Sequence, residues 1–112
     1  MGSHAAEART PSIMVSPNSI KYNETKEIKI TGVGFTPGSM VIVGVIGLGQ
    51  YKGVVGAEDL WFGLARVNQD RTFDITVSLE NNLWKIEGLS GKHSVAAKNE
   101  FDERANAPLI IE

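Results

Sequence analysis

Cysteine is absent from the 112 residues, which excludes disulfides, thiolate zinc sites and a thiol nucleophile. Histidine is scarce. One of the two lies in Met1 to His4, a stretch that reads as an expression-tag remnant, and only His93 stands within the body of the chain. No excess of one charge sign exists either, since 11 Lys and Arg face 13 Asp and Glu for a net charge of −2. The signs are interspersed, so no basic face offers itself to nucleic acid phosphates. No apolar run approaches the ~20 residues that span a bilayer, and no membrane insertion by this segment is expected.

Sequence motifs for chemistry are lacking as well. Gly47-x-Gly49-x-x-x-Gly53 misses the G-x-G-x-x-G spacing by one residue and has no strand–turn–helix context to aim amides at a phosphate. Carboxylates occur at Glu58 and Asp59, at Asp70 and Asp74, and at Glu100, Asp102 and Glu103. None forms the D-x-[DN]-x-[DN]-G loop of a calcium site, and such acidic tips read as solvated turns. Ser90 and Ser94 flank His93 in sequence, but a nucleophile needs an oriented base and a third group. His93 shares parity with Val95 and Ala97, which gives it a structural hydrogen-bonding role near the inner face. Asn23-Glu24-Thr25 matches the glycosylation tripeptide, a pattern common by chance. The expectation is a protein that is not an enzyme and needs no cofactor or metal.

What the chain does have is strand pattern. Apolar residues make up 42% of it, enough to bury one core, and the length suits a single domain. Residues 1–10 read as tag remnant and linker, and 11–112 as the domain. Ser12 to Ser16 is a short apolar run stopped by Pro17-Asn18, an edge strand. In Lys26 to Val33, Ile28, Ile30 and Val33 are assigned to one face, against Glu27, Lys29 and Thr31. Thr72 to Leu79 alternates throughout, with Phe73, Ile75, Val77 and Leu79 on one side. His93 to Lys98 alternates again, Leu60 to Val67 reads as a further strand, and Leu109 to Ile111 closes the chain with Pro108 at its start. Asn81 to Leu89 holds the only helical turn. Strands at 8–12 residue intervals with almost no helix give an all-β sandwich or barrel.

Met40 to Ile46 is apolar on both faces: Val41, Val43 and Val45 suit a core, and Met40, Ile42 and Ile46 lie opposite. Such a strand needs cover on both sides. The cover expected here is the Gly-rich stretch 47–60 or a neighbouring domain, the latter making Met40, Ile42 and Ile46 an interface. Tyr51, Trp61, Phe62 and Trp84 fall in or beside two extended loops. Exposed flat rings stack on sugars, so Tyr51, Trp61 and Trp84 are candidate carbohydrate-binding residues; the competing expectation is that a tryptophan fills the core. Trp61 and Phe62 are neighbours, so on a strand one of them is buried.

Three stretches, Ile28 to Val45 (IKITGVGFTPGSMVIVGV), Arg71 to Leu79 (RTFDITVSL) and Gly91 to Ile111 (GKHSVAAKNEFDERANAPLII), together resemble the immunoglobulin-like repeats of bacterial and archaeal cell-surface proteins, the IPT/TIG-like group. The resemblance implies an immunoglobulin-like β-sandwich of about seven antiparallel strands, extracellular or on the cell surface. It implies a non-catalytic spacer or adhesion-type module of a larger protein, contacting neighbouring domains or a protein or polysaccharide ligand. A carbohydrate-binding module and an accessory domain packed on a secreted hydrolase are the alternatives. Two departures stand out: Asp70-Arg71 and Phe101-Asp102-Glu103-Arg104 occupy turns in which such modules usually carry glycine.

Overall fold

The structure is a computed structural model that describes residues 10–48 and 59–112. Eight strands appear among them: β1 (Ser12–Ser16), β2 (Ser19–Ile20), β3 (Glu27–Val33), β4 (Met40–Ile46), β5 (Leu60–Arg66), β6 (Thr72–Ser78), β7 (Gly91–Asn99) and β8 (Arg104–Ile111). One 3-10 turn, Leu83–Lys85, stands where the single helical turn was expected. The protein is all-β, with a three-stranded sheet in the order β1-β3-β6 and a five-stranded sheet in the order β2-β8-β7-β4-β5.

Alternating burial gives each strand its place. Ile28 and Ile30 of β3 and Phe73 and Val77 of β6 point inward from one sheet; Val41, Val43 and Val45 of β4, Val95 and Ala97 of β7 and Leu109 of β8 point inward from the other. Each fully buried aliphatic side chain of this size contributes about 1.5–3 kcal/mol over its exposed state. The sheets meet along two seams, β1 against β8 and β5 against β6.

Pairing is antiparallel except at one point. The short β2 runs parallel to β8, setting Ser19 against Ile110 and Ile20 against Ile111. The strand expected over Leu109 to Ile111 begins at Arg104, and Pro108 sits inside it opposite Ser94. Proline is tolerated there because alternate N–H groups of β8 point away from β7. Those of Ile110 and Glu112, of the same parity, donate to Asn18 and Ile20 on the opposite side.

Val33 corrects the reading of β3. It is exposed, and the inward position is Gly32. Parity decides this: Ile28 and Ile30 are even-numbered, and a period of two carries the inner face to 32. The ring of Phe73, opposite Gly32 in the β3–β6 register, fills that space, because a Cβ on Gly32 would fall 2.0 Å from its Cε2. The two turns without glycine find their geometry in other residues. Arg71 and Asp102 themselves adopt left-handed backbone angles, with φ of 71° and 63°.

Candidate binding face

The inner valines of β4 leave its other edge of side chains on the outer surface of the five-stranded sheet. Met40, Ile42 and Ile46 lie there, each half-buried. β4 is an interior strand, so side chains of β5 and β7 shade all three without closing over them. The cover proposed from stretch 47–60 falls largely on residues 49–58, outside those described, as does Tyr51.

A bulge shapes this face. Val43 pairs with Gly63 but Gly44 pairs with Trp61, so Phe62 has no partner in the register. An extra residue bends its strand and re-aims the neighbouring side chains. Phe62 packs against the core, while Trp61 goes to the outer face. Gly44 permits this because β5 passes directly over it: a Cβ there would meet the Leu60 carbonyl oxygen at 2.2 Å.

The next residues across the sheet are small. Gly44 pairs with Ala96, and Ala96 with Asn106. With Gly44 covered by β5, Ala96 forms a small floor between larger side chains in a depression of about 240 Å³, lined chiefly by Ile46, Asp59, Trp61, Lys98, Arg104 and Asn106. The Lys98 ammonium lies over the Trp61 ring, 4.8 Å from its centroid, a cation–π contact. Asp59 accepts the Gly47 N–H at 3.1 Å, and the Asn106 side chain donates to the Ser94 hydroxyl at 3.1 Å. Arg104 pairs with Asp102 at the exposed rim.

Trp84 is not in this depression. Its indole N–H donates to the Thr25 carbonyl at 2.6 Å, and its ring meets Tyr22 edge-on at 5.1 Å. The Tyr22 hydroxyl in turn donates to the Ile86 carbonyl at 2.8 Å. The two tryptophans thus stand in separate environments, Trp84 closing one end of the core and Trp61 walling the outer face.

The acidic residues of the loops are also dispersed, and Glu58 lies outside the described residues. Asp70 accepts the hydroxyl of Thr72 and then its N–H, and these bonds hold its carboxyl below the usual aspartate range. Glu103 is no solvated tip. Partial burial pushes its carboxyl up, but hydrogen bonds from the Thr36 amide, the Asn99 side chain and the Thr36 hydroxyl, with the charge of Arg71, outweigh this and hold it below the usual glutamate range. Among the described residues, no three His, Cys, Asp or Glu side chains converge as a metal site would require. His93 is buried at the start of β7, its Nε2 in hydrogen-bond contact with the Leu89 carbonyl.

Sequence reasoning located Trp61 but not Lys98, Arg104 or Asn106 beside it. The signal that would have found them is the polar alternation Asn106, Arg104 in β8, together with Ala96 and Lys98 on the outward parity of β7.

No family model matches the chain, and no curated protein matches it. Solved structures share its fold. Macromomycin aligns over 92% of this chain and 100% of its own, with a TM-score of 0.67 and 13% identity. A superoxide reductase (neelaredoxin) from Ignicoccus hospitalis aligns over 98% of this chain and 87% of its own, with a TM-score of 0.56 and 12% identity. At such identities the likeness concerns the course of the backbone alone.

Proposed function

We propose that this chain is an immunoglobulin-like, non-catalytic binding module of a larger cell-surface or secreted protein, and that it engages its partner through the outer face of the five-stranded sheet. The observation that carries the reading is the depression walled by Trp61, with Ile42 and Ile46 beside it. A half-exposed indole set over small residues, ringed by polar groups, is how rigid β-frameworks present a recognition surface. The surrounding ladder fixes the positions of these side chains before a partner arrives, which lowers the ordering cost of binding. The sandwich reading draws support from the two sheets sharing one core and from the IPT/TIG-like stretches, whose strands are β3, β4, β6, β7 and β8.

The test is whether this face is open in the isolated protein. An Ile42→Ser variant is expected to lose less than about 1 kcal/mol of stability if only water lies above the strand. In a Trp84→Phe background, the fluorescence of Trp61 is expected to be quenched by acrylamide. A larger stability loss together with an unquenched indole would mean that the chain covers its own face, and would defeat the reading.

A further inference from the structure

Lys98 and Arg104 are direct cross-strand neighbours in the β7–β8 register, and both line the depression beside Trp61. Like charges directly opposed on one sheet face repel. Asp102 offsets Arg104 at 2.7 Å, but among the described residues no carboxylate pairs with Lys98, whose ammonium rests over the Trp61 ring. A second feature is chemically opposite. Asp59 and Asn106 each have one side-chain oxygen engaged with no protein donor among the described residues, since Asp59 receives Gly47 on Oδ1 and Asn106 is held through its Nδ2. The depression therefore offers two cations on one flank, acceptors for hydroxyl groups around it, and an apolar wall of Trp61 and Ile46.

Resting on the outer face as the binding surface, we infer that the depression takes an acidic sugar residue of a polysaccharide, of the uronate type. Its carboxylate lies between Lys98 and Arg104, its hydroxyls donate to Asp59 and Asn106, and the apolar side of the ring lies against Ile46 beside the Trp61–Lys98 pair. The volume of about 240 Å³ suits one sugar ring. An Asp or Glu side chain of a protein partner would bring the carboxylate but no hydroxyl donors. A neutral sugar would leave Lys98 without a carboxylate and Arg104 with Asp102 alone.

The experiment titrates isotope-labelled protein with three probes: an oligogalacturonate, the same oligomer fully methyl-esterified, and poly-glutamate. The acid form is expected to shift the amides of Trp61, Ala96, Lys98 and Asn106, and to bind about tenfold more tightly than the ester or poly-glutamate. Lys98→Gln and Arg104→Gln are each expected to weaken it about tenfold, Lys98→Arg by less than about threefold, and high salt to weaken it in wild type. Equal binding of the ester would remove the role of charge, and equal binding of poly-glutamate would remove the role of hydroxyls; either overturns the inference. Shifts elsewhere, or none with any probe, overturn it too. An open face by quenching and by Ile42→Ser would then still stand, so the two failures are separable.

Discussion

Glu103 accepts the backbone N–H of Thr36 at 2.8 Å on one carboxylate oxygen and the Thr36 hydroxyl at 3.0 Å on the other. The two residues are 67 positions apart in sequence. The bond ties the turn between β3 and β4 to the hairpin between β7 and β8. Asn99 completes the tie, donating to Glu103 at 2.6 Å and to Ser39 at 3.1 Å while accepting the N–H groups of Phe101 and Glu103. Every one of these groups is satisfied by the others, which is how a polar cluster next to a core avoids the cost of desolvation.

The stability of the fold should therefore carry the titration of Glu103. Its folded carboxyl is depressed, so its contribution is full above the unfolded value near 4.5 and is lost as pH falls through the lower folded value. Glu103→Gln is expected to cost about 1 kcal/mol at neutral pH, because the bonds from the Thr36 amide and Asn99 lose the charge that strengthens them, while the new amide nitrogen can still donate to the Thr36 hydroxyl. Urea melts from pH 7 down to pH 3 check this: the gap between wild type and variant should close as the wild-type carboxylate protonates. A gap constant with pH would mean that the charge is irrelevant.

Gly32→Ala tests the packing of β3 against β6. The added Cβ would lie 2.0 Å from the Phe73 ring, which also meets Phe35 edge-on at 5.4 Å. Overpacking of this kind costs about 1–3 kcal/mol. Because the clash is with one side chain, Phe73→Leu should relieve part of it. A double-mutant cycle by chemical denaturation is expected to give a coupling above about 0.5 kcal/mol, and simple additivity would contradict the contact.

Arg71 holds a left-handed φ in the turn that leads into β6. Its side chain does not set that geometry, and its charge is the least of the influences on Glu103, so the order of stability at position 71 should follow backbone tolerance. Glycine is expected to match or exceed arginine by about 0.5 kcal/mol, and valine to fall below it by more than about 1 kcal/mol. Melting temperatures of Arg71→Gly and Arg71→Val read the order directly. Valine equal to arginine would mean that the turn relaxes to another conformation.

Legibility in the sequence follows the range of the interaction. β3, β6 and β7 were readable because period-two alternation is local, and Ile28, Ile30, Phe73, Val77, Val95 and Ala97 turned up inside as their parity required. The same rule, applied too loosely, placed Val33 inside in place of Gly32. What lay beyond local pattern was cross-strand register. Pro108 was read as a strand start because its neighbours along the chain cannot reveal which edge of β8 it faces. The Glu103–Thr36 tie was hidden by sequence distance, and Glu103 looked like any acidic turn residue. The bulge at Phe62, which puts Trp61 on the outer face, needed the pairing of Gly44 to be known. Lys98 and Arg104 likewise became neighbours only through the β7–β8 register.

The two tryptophans looked equivalent in sequence, and their surroundings predict that they respond differently to one substitution. Trp84→Phe keeps a ring against Tyr22 but removes the N–H that the partly buried Thr25 carbonyl accepts. An acceptor left without its donor costs about 1–3 kcal/mol. Trp61→Phe removes no hydrogen bond among the described residues and leaves an aromatic face under Lys98, weaker than indole by only a fraction of the cation–π energy, itself about 0.5–1 kcal/mol at an exposed site. Thermal or urea unfolding of the two variants should thus show Trp84→Phe as the more damaging by about 1 kcal/mol. The reverse order would place the structural indole at 61, and the outer face would then be part of the fold's own support.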